Sequence, residues 1–365
     1  MDVRNLSEFA VAPDGGNDPL QLLSDFAKSP RPLPQNPKTL RILTYNTWLL
    51  PWIAPKMSDR LRRLPDQLAS TRADILALQE VWDDRHAATL QKELAARGYP
   101  TFVRARDKRP SPGRPSVWQS LQGFKGNGLV IASRFPLLSS PSSMAFSDHT
   151  APEEWFVAKG ALSASLEVPN WGRLDVINAH LGSVDFNHSA ANFVEKQRLR
   201  QERQVQELIE FSVRHAPLPN QGAQIIALDA NHHLDLWDSG RQAFVSGMRT
   251  PTYLEFTQRL ELWDTFHDLP DNLFNKSNLG PAAYTFDQKN TWVKRGHFGA
   301  APSEFVDYIY LRKTPLLSPK NSCITLQGDP TQGQPPLSDH YGVLTELEME
   351  KRPSRLVAVK NFPSL

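Results

Sequence analysis

Cysteine is almost absent: Cys323 is the only one in 365 residues, so no intrachain disulfide forms and folding cannot depend on oxidation. Long apolar runs are missing as well. The most apolar stretch, Trp48 to Ala54, is short and broken by Pro51, so no spanning helix is expected and any membrane contact is peripheral. Excess charge of either sign is small, with 41 Lys and Arg against 39 Asp and Glu, a formal net charge of +2. That balance does not choose a substrate, although local basic patches can still hold a polyanion. The opening MDVRNLSEFAVAPDGG has no basic segment leading into an apolar core, so no Sec-type signal peptide is expected in the chain as given. The expected location is therefore the cytoplasm, or outside the cell by a non-Sec route. Neither an internal repeat nor a low-complexity domain is apparent.

What is present suits a globular enzyme. With 40% hydrophobic and 22% charged residues, the chain can bury a full core as one large domain or two small ones. Residues 1–38 are rich in Pro, Gly, Ser and Asn and read as an extended arm. A domain over 39–350 and a tail over 351–365 follow. RILTYNTWLL starts as a strand, and Ser58 is expected to cap a helix whose Leu61, Leu64 and Leu68 share a face, short or kinked because of Pro65. ADILALQEV reads as a strand ending in a carboxylate, and His86 to Arg97 as a helix stopped at Gly98. Arg104 to Lys125 reads as a basic, proline-rich loop. GLVIAS, GALSASLEV and LDVINAHL read as strands, the last two paired across Pro169 to Gly172. Lys196 to His215 is the clearest helix, with Val205, Leu208, Ile209, Ser212 and Val213 on one stripe. QIIALDA, FVDYIYL and YGVLTELEM complete the strands of an α/β or α+β protein with two sheets or one large mixed sheet.

Polar residues recur where these strands end: Asn46 after RILTY, Glu80 after ADILALQ, His180 after LDVINA, Asp229 and Asn231 after QIIAL. Asp307 lies within FVDYIYL, and Asp339 with His340 opens the last strand. Any one of them is unremarkable, since a carboxylate after a strand usually caps a helix or bonds a loop. Together they suit a rigid sheet presenting groups at one rim. Carboxylate and amide oxygens with few imidazoles favour a hard cation such as Mg²⁺ or Mn²⁺ over tetrahedral zinc. Phosphoryl transfer uses such an ion to neutralise charge, and a carboxylate-oriented histidine to activate water.

The ordered run NTW, LQEVW, GNGLVIAS, NAHL, LDAN, FVDYIYL and LSDH resembles the endonuclease/exonuclease/phosphatase superfamily over roughly residues 40 to 350. Its members include deoxyribonuclease I, exonuclease III, inositol polyphosphate phosphatases and neutral sphingomyelinases. YNTWLLP, DRLRRLPDQLA, LALQEVWDD, EEWFVAKGA and PPLSDHYGVL most resemble the sphingomyelinase branch. The resemblance implies a four-layer α/β sandwich, two mixed sheets face to face with helices outside. It also implies a Mg²⁺- or Mn²⁺-dependent phosphodiesterase that hydrolyses sphingomyelin to ceramide and phosphocholine at a membrane surface, with no stable nucleic-acid partner. Carried over, Glu80 is the main metal ligand, Asn46 orients phosphate or metal, and Asp339 lies at or beside the metal. His180 protonates the leaving group, Asp229 and Asn231 hold nucleophile and phosphate, and His340 is the general base with Asp307 as its partner.

Two positions depart from the family pattern: Leu228 stands where it has glycine before the aspartate, and Leu49 where it has glycine after NxW. His232 and His233 invite a metal reading, but as neighbours they point apart if extended, so one is expected in the loop and one as a donor behind the site. Trp48, Leu49, Leu50, Trp52 and Ile53 either dip into lipid or pack against the helix at Asp59. The basic stretch Arg104 to Arg114 is expected to be a solvated loop. A nuclease, an inositol polyphosphate phosphatase and a non-enzymatic binding module are the rival readings. The W-x-G-D-x-N-Y-R and P-A-W-C-D-R signatures of the phosphatases are absent.

Overall fold

Apolar residues alternate along the first strand, Leu40 and Ile42 entering one buried cluster and Leu43 and Tyr45 another, so this strand is covered on both faces. The structure, a computed structural model, describes residues 37–51, 53–105, 126–147, 158–185, 191–218, 221–233, 235–238, 243–269, 284–293, 303–329 and 333–349. Residues 1–36 of the expected arm, the tail over 351–365, and most of the basic loop after Arg104 lie outside the described residues.

In chain order the elements begin with β1 (Thr39–Leu49), α1 (Met57–Ser70), β2 (Ile75–Val81), α2 (Asp84–Ala96), β3 (Thr101–Arg104), β4 (Val130–Ser133) and β5 (Ser142–Ala145). They continue with β6 (Gly160–Val168), β7 (Gly172–His180), α3 (Ala191–Arg214), β8 (Gly222–Asp229), β9 (Asp235–Asp238) and β10 (Ala243–Arg249). The last are α4 (Pro251–Arg259), β11 (Leu262–Asp264), β12 (Asp307–Arg312), β13 (Leu317–Thr325) and β14 (Gly342–Met349). One six-stranded sheet has the order β13-β14-β1-β2-β4-β3, the other β11-β12-β8-β7-β6-β5, and β9 with β10 forms a separate ribbon. β1 runs parallel to β2 and β7 parallel to β8, while β12 and β14 run antiparallel to their neighbours. Both sheets are therefore mixed. Leu40, Ile42 and Ile75 of one sheet meet Leu162, Val176 and Ile226 of the other in the core between them. Leu64 and Leu68 of α1 and Leu90 and Leu94 of α2 cover the first sheet, and Val205 and Leu208 of α3 with Phe256 of α4 pack over Leu228 and Tyr310 of the second. The four-layer sandwich is the observed fold.

Several local expectations change. Ser58 is not the cap: the chain enters α1 through Lys56 in the left-handed region (φ 50°), with no capping side-chain bond, and the helix starts at Met57. Pro65 does not shorten the helix, which runs 14 residues. One backbone bond lost at Pro65 weighs less than the burial of Leu64, Pro65 and Leu68 against the sheet. Val213, placed on the buried stripe of α3, is 52% exposed. It follows the stripe by a single residue and turns past the edge of the core. Asp339 and His340 precede β14 rather than opening it, in a turn ahead of Gly342.

This topology decides where polar strand ends meet. Strands β1, β2, β7 and β8 finish at one rim, and antiparallel β12 and β14 begin there. Asp229 stands in register with His180 on one side and Asp307 on the other. Beneath the rim, Gln79 Nε2 donates across the sandwich to Asn178 Oδ1 at 2.7 Å, and Asn178 Nδ2 donates to Leu78 O at 2.9 Å and Val130 O at 2.8 Å.

Candidate active site

Asn46 Nδ2 donates to Asp229 Oδ2 at 2.8 Å, joining the first sheet to the second at the rim. His180 Nε2 lies 3.2 Å from the same Oδ2 and 4.0 Å from Glu80 Oε1. On the far side of Asp229, His340 Nε2 is 3.9 Å from Oδ2, while its Nδ1 contacts Asp307 Oδ2 at 2.8 Å. The hydroxyl of Thr285 accepts the backbone N–H groups of Val306 and Asp307, at 3.0 and 3.1 Å, which pins the start of β12. Asn46, Glu80, His180, Asp229, Asp307, Asp339 and His340 thus converge from both sheets. Asn231 is adjacent, its backbone N–H donating to Asp229 Oδ1 at 2.9 Å and its Nδ2 to Leu181 O at 2.9 Å.

The backbone is bent where the chemistry sits. Glu80 and Asn231 lie in the left-handed region, with φ of 62° and 49°. Held non-glycine residues of this kind cluster at functional sites. Leu228 has no such conformation and pairs regularly with Tyr308 and Ala179 inside the sheet, so the missing family glycine costs the strand nothing.

Electrostatics separates the histidines. Burial, then the neighbouring Lys159, hold His180 below the usual histidine range. Burial works against charge on His340 too, but Asp307 and Asp229 outweigh it and hold His340 well above that range. Burial works to raise Asp229, yet His180 and His340 outweigh it and keep this carboxylate ionised. Asp339 is lifted to about 6 by burial, with His340 opposing and Glu80 adding to the rise.

Two further groups stand at the rim that the pattern of polar strand ends does not mark. Lys159 Nζ lies 2.5 Å from His180 Nε2 and is buried beneath Trp82, whose ring centroid is 6.0 Å away. Its signal was a lone lysine at the start of an apolar strand, inside EEWFVAKGA. Glu304, half-buried and coupled electrostatically to His340, Asp229 and Asp185, is pushed up to about 8 by burial.

A divalent cation fits here. Glu80 Oε2 is a buried carboxylate oxygen without a hydrogen-bond partner, and so is Asp307 Oδ1. Among the described residues, Asp229, Asp307 and His340 form the acidic and imidazole group whose ligand atoms lie within 4.8 Å of one another. His340 and Asp307 are bonded to each other, however, which makes Glu80 the freer donor. Asn46 is committed at both ends, since Oδ1 also accepts the Trp48 N–H at 2.9 Å, so it offers a metal only its second lone pair.

His232 and His233 stand outside this set. Both are buried: His233 Nδ1 accepts the Asp235 N–H at 3.0 Å, and the His232 ring lies 6.2 Å from that of Tyr308. The apolar loop is largely covered as well. Trp48 and Leu49 are buried and Leu50 is half-buried, while Ile53 is 55% exposed and Trp52 lies outside the described residues. Trp48 packs under the Arg60 guanidinium, 5.0 Å from the ring centroid, which favours the helix-packed alternative over the lipid-facing one.

A model of the Endonuclease/Exonuclease/phosphatase family matches residues 43–340. The chain is 26% identical over 148 residues to the inositol phosphosphingolipids phospholipase C of Schizosaccharomyces pombe, a stretch covering 39% of this chain and 31% of that protein. It is 30% identical over 98 residues to human sphingomyelin phosphodiesterase 2, covering 27% of this chain and 19% of that protein. The matches thus span less than a third of either relative. The fold is shared with sphingomyelinase C from Streptomyces griseocarneus, at a TM-score of 0.60 and 20% identity, over 84% of this chain and 99% of that one.

Proposed function

This chain belongs to the endonuclease/exonuclease/phosphatase family, and from that premise we propose that it is a divalent-metal-dependent phosphodiesterase of the sphingomyelinase type. Sphingomyelin is cleaved to ceramide and phosphocholine. The observation that carries the reading is His340, oriented by Asp307 at 2.8 Å and facing Asp229, with the unpartnered oxygen of Glu80 at the same rim.

Glu80, with Asp339 and the second lone pair of Asn46, would hold Mg²⁺ or Mn²⁺; when bound, the ion neutralises phosphate charge and steadies the leaving oxygen. Asp307 fixes the ring of His340 so that Nε2, in the deprotonated form that its neighbouring carboxylates defer to pH above the usual histidine range, takes the proton of the attacking water. Asp229 and Asn231 orient water and phosphate. His180 passes a proton to the departing ceramide alkoxide while Lys159 Nζ, 2.5 Å from its Nε2, gives one to the ring, so that the imidazole ends neutral and Lys159 ends as the amine. The sphingolipid substrate of this reading is supported by the names of the relatives and by the NTW, EVW and LSDH motifs, since fold and metal chemistry leave the substrate open.

The test is a panel of sphingomyelin in mixed micelles, an inositol phosphosphingolipid, plasmid DNA and inositol phosphates, each with Mg²⁺. Release of phosphocholine well ahead of the other products is expected. Efficient nicking of DNA with sphingomyelin untouched would leave family and fold intact and remove the substrate reading.

A further inference from the structure

The tripeptide Asn-Thr-Trp occurs twice, at 46–48 and at 290–292, and only the first copy entered the catalytic account. The two are built alike. In each, the asparagine Oδ1 accepts the backbone N–H of the tryptophan two residues on, at 2.9 Å for Trp48 and 3.0 Å for Trp292. This Asx turn fixes the amide and leaves Nδ2 to act on something else. Asn46 Nδ2 reaches Asp229. Asn290 Nδ2 donates to two consecutive carbonyls, Ser338 O at 2.9 Å and Asp339 O at 3.0 Å.

The neighbouring carbonyls of that turn are held too. Trp292 Nε1 donates to Pro336 O at 2.7 Å and Arg60 Nε to Leu337 O at 2.6 Å. Every carbonyl from Pro336 to Asp339 is therefore bound by a side chain from elsewhere in the molecule. Arg60, only 1% exposed, also donates to Trp48 O at 3.1 Å and Thr47 O at 2.6 Å, so one guanidinium joins this turn to the first Asn-Thr-Trp. The two tryptophan rings meet at 6.3 Å in their own small apolar cluster with Ala54.

Buried loop carbonyls need partners in any protein, and satisfying them is the ordinary use of a buried asparagine. Here the held carbonyls end on the residue before His340, and the same side chains tie that turn to the strand end that carries Asn46. We propose that the second Asn-Thr-Trp turn is a positioning device: Asn290 and Trp292, joined through Arg60 to the first copy, set the Pro336–Asp339 turn at the depth where His340 meets Asp307. Asn290 acts on the base as Asn46 acts on Asp229. The catalytic part rests on the proposed role of His340.

Three variants test it: Asn290→Ala removes the amide, Trp292→Phe keeps a ring against Trp48 but loses the donor to Pro336, and Thr291→Ala alters an exposed position of the same turn. The first readout is kcat and KM on bis(4-nitrophenyl) phosphate with Mn²⁺. The second is the downfield imidazole N–H proton of His340, assigned by its loss in His340→Gln. Since a misplacement of about 1 Å can cost on the order of 10²-fold in rate, kcat should fall about tenfold or more in Asn290→Ala and several-fold in Trp292→Phe, with KM within about twofold. The resonance should shift or broaden in both, and Thr291→Ala should match the parent. If Asn290→Ala does not fold, Trp292→Phe decides. An unmoved resonance in the folded variants, or unchanged kcat, overturns the proposal. A parent without phosphodiesterase activity would remove the function proposed above, and the resonance would then decide positioning alone.

Discussion

Glu80 holds a backbone conformation that costs a non-glycine residue of order 1–3 kcal/mol and keeps one buried oxygen without a partner. Neither feature helps the apo fold. Both are what a cation site requires, so Glu80→Gln should leave the melting temperature in chelator near that of the parent, while the upward shift produced by Mg²⁺ shrinks or vanishes. An equal Mg²⁺ shift in the two proteins would remove Glu80 as the main ligand. The acid and base arms should separate by leaving group. A nitrophenyl phosphodiester needs little protonation on departure, so it should largely rescue His180→Ala and Lys159→Met, whereas His340→Ala stays on the order of 10²-fold slower than the parent. Equal rescue of all three would merge the assigned roles. Most of these groups could be read from sequence because each follows an apolar run. Lys159 could not, since its role depends on the pairing of β6 with β7, which sets Gly160 opposite His180.

The segment joining β8 to β9 carries His232 and His233, whose pKa values burial lowers from 6.5 to about 4. For each, the unfolded chain takes up its proton near pH 6.5 and the native state only near pH 4. Stability is therefore lost as pH falls through that window, by roughly 3 kcal/mol at most for each group, and is unaffected above it. Asn can reproduce the acceptor that His233 offers to the Asp235 N–H, so His233→Asn should melt like the parent at pH 7.5 and lose less stability at pH 5. Parallel pH profiles of melting temperature would contradict this. At the scale of elements, β1, β2, β6, β7, β8, β12, β14 and the three longer helices were legible because both faces, or one clear stripe, are apolar. The short edge strand β5 and the polar β13 were not. β13, with Pro319, Lys320 and Asn321, pairs on one side only and has no second face to bury. Thr250 with Pro251 at the first turn marks α4 in the sequence, and the Thr250 hydroxyl caps its N-terminus by accepting the Tyr253 N–H.

Across the whole molecule, a polar bridge locks the two sheets directly under the rim. Asn178→Leu would remove one acceptor of Gln79 Nε2, which keeps Thr44 Oγ1 at 3.0 Å, and the side-chain donor to the carbonyls of Leu78 and Val130, so a loss of roughly 1–3 kcal/mol is expected in urea unfolding. A loss below about 1 kcal/mol would mean that water replaces the bridge without cost. The sandwich and its rim were legible from the order of motifs, since strand ends spread over the chain make one site only if the sheets face each other. Which partners hold each group could not be read, because those contacts cross from one sheet to the other. The closing strand carries one more consequence. β14 lies between β13 and β1, with Glu348 opposite Thr39, so the first strand of the domain waits for the last. While the chain is being synthesised, β1 leaves the ribosome with that edge open, and it is sealed only when residues 342–349 follow. Until then the nascent chain carries an unpaired strand edge open to wrong partners, and the rim stays incomplete, because His340 and the strand behind it arrive together.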